Sequence, residues 1–389
     1  MQYLWTNLET ILGTYDGSLP LHHFLKDHFR KNKKLGSRDR RGLSDAAYAW
    51  YRAGKCLSSE HADAKTLQLA ALYLCGLEPK AFQQFLVEKW GTNSNDLATR
   101  IATLKACGIE VDFEKILPEF IEFSEGMKRE EWLQSMLQQP RLFLRIRNRF
   151  EPIKQLLLKE QISHEWLSEH CLALANGTDV GTHFSAESFV VQDASSQKTG
   201  AFFKIEKCAT VWDCCAGAGG KSLMLRDRFS HSKILATDIR KGILQNLKER
   251  FETYKIASPE TLAFDVTDSA ALQAQLGSRK FDVIICDVPC SGSGTWARTP
   301  ESCYFFEPHS LEILHQKQVQ ILENAVDYLK PNGRIYYITC SVFETENEKV
   351  ISEIASKKNL EIEVANLING ISMKADSLFI ASLKKATRA

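Results

Sequence analysis

FDVIICDVPCSGSGT, residues 281–295, is the stretch whose reading decides the fold. Phe281 to Cys286 is a short apolar run with β-branched residues, the pattern of a parallel strand buried on both faces. Asp287, Val288, Pro289 and Cys290 follow, and then glycine and serine break the pattern. Pro289 fixes φ and has no amide donor, so the strand stops where an acid and a thiol appear. In an open α/β sheet, ligands and chemistry collect at the carboxyl ends of strands. A second thiol, Cys340, follows another apolar run in a matching position.

Outward from this stretch, strand and helix patterns alternate regularly from about Gly200 onward. Strands are expected at Thr210 to Asp213, Lys233 to Asp238, Leu262 to Asp265, Phe281 to Cys286 and Gly333 to Thr339. Helices are expected from Ser222, over Gly242 to Phe251 and over His309 to Leu329. Glu361 to Ala365 and Leu378 to Leu383 finish as two further strands. Such alternation with short connections predicts an α/β domain, 200–389, built on a doubly wound, Rossmann-like parallel sheet.

The first strand runs into CCAGAGGKS, residues 214–222. A P-loop would need glycine at 215, where Cys215 stands, and a dinucleotide fingerprint from Gly217 would need glycine or alanine where Ser222 stands. What remains is a glycine turn that lets backbone approach a ligand, followed by Asp238 ending strand two. A carboxylate at that spacing can take both ribose hydroxyls. Asp265, ending strand three, is placed to meet an adenine edge. A glycine turn alone is weak, but with acids ending strands two, three and four it points to S-adenosylmethionine.

The preceding chain differs in character. Residues 1–127 carry helical periodicity, as in Leu21, Phe24, Leu25 and Phe29, with Gly76, Gly91 and Gly108 at expected helix ends. Residues 128–199 read as a small α+β unit, RNA-recognition-like and βαβ-like. Its strands are expected at Leu142 to Arg147, His170 to Leu174 and Phe189 to Gln192, with a helix over Ile153 to Gln161. Arg141, Arg145, Arg147 and Arg149 alternate along its first strand and would share one face, suited to phosphates. Phe29 to Arg41 holds seven basic residues and one acid, either a solvated surface or a second phosphate-contacting patch.

Overall charge is nearly balanced, 49 basic against 48 acidic residues, so composition by itself does not announce nucleic acid. Eleven cysteines fit free thiols in a reducing cytoplasm, MQYLWTNLET lacks the pattern of a leader, and no run is long enough to span a bilayer. Cysteine and histidine spacing does not form a zinc pattern, so no metal and no membrane are expected, and the chain is read as a monomer.

From Leu142 to Leu383 the chain resembles the Sun/Fmu (RsmB/NOP) family of RNA cytosine-5 methyltransferases. The resemblance rests on CCAGAGGKS, CDVPCSGSGTWARTPE, QVQIL, LKPNGRIYYITCS and ETENE. It implies an S-adenosylmethionine loop at Cys215, Ala216, Gly217, Ala218, Gly219, Gly220 and Lys221, with further cofactor-side acids at Asp238, Asp265 and Asp287. It implies Cys340 as the nucleophile and Cys290 as the second catalytic cysteine, beside Asp287. It also implies an RNA substrate, ribosomal RNA foremost, and a NusB-like helical domain over 1–127. Ala218 stands where the family usually has proline, and Val288 where it has alanine.

Two thiols suit this reaction. Carbon 5 of cytosine is a poor nucleophile until something adds to carbon 6, and a thiolate can both add and leave. Three rivals bear on the same residues. A DNA-type enzyme would use Cys290 as nucleophile, an exocyclic-amine methyltransferase would need neither thiol, and a non-catalytic RNA-binding assembly factor would keep the fold alone. Transfer RNA stands as the alternative substrate.

Overall fold

The computed structural model describes residues 2–385; Met1 and residues 386–389, the outer ends of the first and last expected segments, lie outside it. Two compact units form. Among the described residues, one gathers 2–121, Lys128–Gln139 and Thr295–Pro308; the other gathers Glu122–Met127, Pro140–Gly294 and 309–385.

The first unit is helical as its periodicity predicts. Its long helices are Gln2–Thr14, Leu21–Lys31, Ser37–Ala53, Ala64–Leu74, Gln83–Trp90 and Leu97–Ala106. The expected stops Gly76, Gly91 and Gly108 follow the ends of the last three. The segment Thr295–Pro308 threads this unit: Trp296 packs on Trp132, Tyr304 on Tyr51 and Phe305 on Tyr15. Glu301 accepts a 3.1 Å hydrogen bond from the Leu21 amide, capping a helix whose own N-cap, Pro20, has no side-chain acceptor.

The second unit is built on a seven-stranded sheet. Its strands are numbered here β1 (Thr210–Asp213), β2 (Lys233–Asp238), β3 (Glu260–Ala263), β4 (Phe281–Asp287), β5 (Leu329–Thr339), β6 (Leu360–Ile368) and β7 (Leu378–Lys385). Their spatial order is 3-2-1-4-5-7-6. Alternation along β4 explains its near-continuous hydrophobicity. Ile284 and Cys286 enter one core with the helices Ser310–Val326 and Glu348–Lys358, while Val283 and Ile285 enter another with Met224, Leu225 and Tyr336.

The sheet is not wholly parallel as expected. β7 pairs antiparallel with both β5 and β6. The link between β6 and β7, residues 369–377, is shorter than the dozen or so residues a parallel crossover requires. β3 also ends earlier than expected, at Ala263, so Asp265 lies beyond the strand. Its carboxylate accepts from the Thr267 amide at 2.9 Å and hydroxyl at 2.7 Å, a local turn that competes with the ladder.

The small sheet runs His164–Trp166, Cys171–Leu174, Leu142–Ile146, Phe189–Val191, with every pairing antiparallel. It is therefore not a βαβ crossover. The helix Phe150–Lys159 leads instead into a hairpin whose first strand is too short and too polar to show in the sequence. Two of its alternating arginines are not presented to solvent. Arg145 and Arg147 both pair with Asp227, at 2.6 and 2.9 Å, with side chains 9% and 8% exposed. Burial was invisible in the alternation, so these two are not the open phosphate row expected. Arg141 pairs with Glu165 and the more exposed Arg149 with Glu187. In the basic stretch of the helical unit, Arg38 and Arg40 donate to the Lys80 and Leu35 carbonyls and Arg30 pairs with Asp27, leaving Lys31, Lys33, Lys34 and Arg41 as exposed cations. Among the described residues no helix is long and apolar enough to cross a membrane.

Candidate active site at the carboxyl edge of the sheet

The glycine turn hangs from the ends of β1 and β2. The Ala216 amide donates to the Thr237 carbonyl at 2.8 Å, and the Gly217 amide to the Asp238 carboxylate at 3.0 Å. Gly219 has φ +80°, and a Cβ there would lie 2.6 Å from Leu247, so both conformation and space require glycine. Ala218, in the usual place of a proline, has its carbonyl held by the Arg250 guanidinium at 2.8 Å. The helix begins at Gly220, but Lys221 turns away from the loop: its ammonium pairs with Asp287 at 3.0 Å and also reaches the Ser196 hydroxyl at 3.2 Å. Below the turn, the fully buried Asp213 accepts from the Ser222 hydroxyl at 2.6 Å. Burial pushes its carboxyl up to about 7, and the neighbouring Asp287 charge adds to the shift.

Asp238 is held by its neighbours before any ligand arrives. Besides the Gly217 amide, it accepts from the Arg240 amide at 2.9 Å and from the Arg240 guanidinium at 3.0 Å. Burial opposes ionisation, but the Arg240 side-chain and backbone hydrogen bonds outweigh it and hold the carboxyl below its ordinary value. The Arg240 side chain is 67% exposed, so it can swing away from Asp238 without unpacking the core.

A cavity of about 490 Å³ opens along this edge, lined by Cys214, Cys215, Asp238, Asp265 and Asp287 together with Phe264, Val266, Val288 and Pro289. Ile239, 58% exposed, Arg240, and Lys317 and Ile321 of the helix Ser310–Val326 complete it. The three acids read from the sequence therefore share one cavity. Its apolar walls, Ile239, Phe264 and Val266, were not singled out in the sequence, where an isoleucine after an acid looks like ordinary strand material.

Sheet register brings the thiols together. Asp287 of β4 lies opposite Ile338 of β5, so Cys290 and Cys340 emerge three and two residues past that rung. Their sulfurs are 3.3 Å apart. The Cys340 sulfur, then burial, pushes the Cys290 thiol well above the ordinary thiol range. Gly294 locks the loop that follows: its amide donates to the Cys340 carbonyl at 2.9 Å, and a Cβ would lie 1.9 Å from the Ser377 carbonyl oxygen.

The residue that organises both thiol loops is Glu346, within the ETENE stretch, to which no role was assigned from the motif. Its buried carboxylate accepts from the Ser291 amide at 2.7 Å, the Ser291 and Ser341 hydroxyls at 2.5 Å each, and the Gln318 amide group at 3.0 Å. Asn347 adds a second brace, donating to the Ser341 carbonyl at 3.0 Å. A glutamate and an asparagine seven and eight residues past Thr339 carry no periodic signal, which is why only contacts reveal them.

A 3-2-1-4-5-7-6 sheet with its cavity at the carboxyl edge defines a Rossmann-like fold of the methyltransferase type. Residues 202–383 match the family described as 16S rRNA methyltransferase RsmB/F, the group the sequence motifs resemble. The chain is 33% identical over 186 residues to a probable ribosomal RNA small subunit methyltransferase B of Coxiella burnetii, covering 47% of this chain and 43% of that protein. It spans less than half the length of the first curated relatives it matches. Among solved structures, one of PH0851 aligns with 97% of each chain at TM-score 0.69 and 18% identity. One described as NSun6 from Pyrococcus horikoshii with SFG aligns with 67% of this chain and 94% of that one at TM-score 0.58 and 14% identity. Both likenesses are of fold.

Proposed function

We propose that this protein transfers a methyl group from S-adenosylmethionine to carbon 5 of a cytosine in RNA, ribosomal RNA foremost, through a covalent bond to Cys340. The observation that carries the reading is the 3.3 Å Cys290–Cys340 pair at adjacent strand ends, next in sequence to cavity-lining Pro289. The RsmB/F family match and the curated relatives named for ribosomal RNA support the RNA substrate.

The cavity suits the cofactor: one carboxylate at the end of β2 for ribose hydroxyls, Asp265 for an adenine edge, and apolar walls for a purine face. SFG, present with the NSun6 neighbour, is an analogue of that molecule. S-adenosylmethionine, when bound, supplies an electrophilic methyl group. The rest of the chemistry belongs to side chains. Cys340 gives its thiol proton to solvent, its sulfur bonds as the thiolate to carbon 6, the 5,6 double bond opens, and carbon 5 becomes the nucleophilic end of an enamine. Asp287, one oxygen held by Lys221, must first take up a proton, and then hydrogen-bonds or protonates ring nitrogen 3 as charge develops there. Cys290, pushed up chiefly by its neighbour, holds the proton while Cys340 attacks. Once the Cys340 sulfur is bonded, that cause is gone; Cys290 releases its own proton to solvent and, as the thiolate, takes the proton from carbon 5. The electrons return to the ring and the Cys340–carbon 6 bond breaks.

Bisulfite sequencing of RNA from cells with and without the protein tests the product. A cytosine protected only in its presence is expected; an unchanged protection pattern overturns the reading. The cofactor half has its own test. Asp238→Ala removes the ribose acceptor and should weaken S-adenosylmethionine binding by about 1–3 kcal/mol in calorimetry, the cost of charged hydrogen bonds left unmade. Unchanged affinity would remove Asp238 from the cofactor site.

A further inference from the structure

A second cavity of about 490 Å³ lies in the same unit, away from the thiols, and takes no part in the chemistry above. One wall is Ile146, Leu167, Cys171, Ala194, Ala201 and Met224, which is almost wholly apolar. The polar lining comprises Ser168, His170 and Gln197 together with four cationic residues, Arg145, Arg147, Lys198 and Arg228, against a single carboxylate, Asp227.

The four cations are not equivalent. Arg145 and Arg147 are both committed to Asp227, which their two charges over-neutralise. The Arg145 guanidinium also donates to Gln192 at 2.8 Å, yet its Nη2 is buried with no hydrogen-bond partner among the described residues. A buried guanidinium nitrogen without an acceptor is costly, and an anion nearby would lower that cost. Lys198 and Arg228 are exposed and have no carboxylate partner among the described residues. Room for the Arg228 side chain depends on Gly200, where a Cβ would come within 2.7 Å of its guanidinium and 2.9 Å of the Met224 sulfur. An excess of positive charge beside an apolar wall, in a volume that fits one base and ribose, is the recognition chemistry of a nucleotide unit within a polyanion.

We propose that this cavity is a nucleotide subsite for the RNA strand, seating a base or ribose against Ile146, Leu167 and Met224 and a backbone phosphate between Lys198 and Arg228. It rests on the RNA reading above and adds to it a position at which the strand is held outside the methylated nucleotide. Phosphate contact through these two residues would fix the register of the strand without reading its sequence.

The test is fluorescence anisotropy of the full chain with a labelled single-stranded oligoribonucleotide at several salt concentrations, for wild type and the double variant Lys198→Ala/Arg228→Ala. Both side chains are exposed, so the variant should keep its melting temperature and its calorimetric S-adenosylmethionine affinity. Binding should weaken about ten-fold and the salt slope should fall by about 0.7 unit, as expected for one lost single-strand phosphate contact. The charge-preserving pair Lys198→Arg/Arg228→Lys should restore most of the affinity. Cytidine monophosphate is the second probe: if it competes with the oligonucleotide only at millimolar concentration, the site serves a chain and not a free nucleotide. Competition at micromolar concentration would mean a free-nucleotide site and overturn the RNA assignment. Wild-type binding with an unchanged slope in the alanine variant overturns the subsite and leaves the RNA reading standing. A wild-type chain that binds no oligoribonucleotide overturns both.

Discussion

Cys290→Ala should leave methylated RNA bonded to the protein, visible as a slow-migrating, ribonuclease-sensitive band on a denaturing gel. With the Cys340 sulfur free to attack, addition and methyl transfer proceed, but the group placed 3.3 Å away to assist release is gone. Cys340→Ala removes the covalent step itself, so neither band nor methylated product should form, and turnover should fall by several orders of magnitude. In the DNA-type arrangement the roles invert, and the band would appear with Cys340→Ala. Unaltered turnover in both variants would refute covalent catalysis and favour an assembly factor that binds RNA without modifying it.

Glu346→Ala should be nearly as damaging although Glu346 has no role in the bond-making steps. Its carboxylate gathers donors from the loop after β4 (Ser291), the loop after β5 (Ser341) and the helix Ser310–Val326 (Gln318). Removing it leaves several buried donors unmet, with an expected stability loss of about 3 kcal/mol or more. The two thiols would lose the contact that holds their loops in one position, and methylation should drop by about a hundred-fold or more. Denaturant unfolding and single-turnover methylation separate the effects. Glu346→Gln, which keeps one acceptor oxygen and the side-chain volume, should recover much of the stability but less of the rate. Full activity in the alanine variant would show that the loops are held by backbone contacts such as Gly294 to Cys340 alone.

Much of the site was legible because it sits where strand patterns stop. The ends of β1, β2 and β4 were read within a residue, since each apolar run meets an acid, a glycine or Pro289 at its carboxyl end. Asp265 was the exception. Its side chain turns the chain just past β3, and a turn that replaces ladder hydrogen bonds looks like one more strand residue in sequence. The alternating arginines misled for a related reason. Period-two spacing places residues on one face of a strand but does not say whether that face meets solvent, and here Asp227 from a distant helix covers it.

The sequence by itself determined the two kinds of architecture, the strand ends that carry Cys290, Asp287, Asp238 and the glycine turn, and the candidate chemistry, because local periodicity and chain-breaking residues act over a few positions. The tertiary structure alone decided what depends on residues far apart in the chain. It set the antiparallel β7, the register that brings the two sulfurs within 3.3 Å, the gathering of both thiol loops on Glu346, and the packing of Thr295–Pro308 among the helices of the first unit. Hydrogen bonds between residues 55 positions apart, such as Ser291 to Glu346, follow from how strands pair and helices cover them, and no window of sequence contains that information.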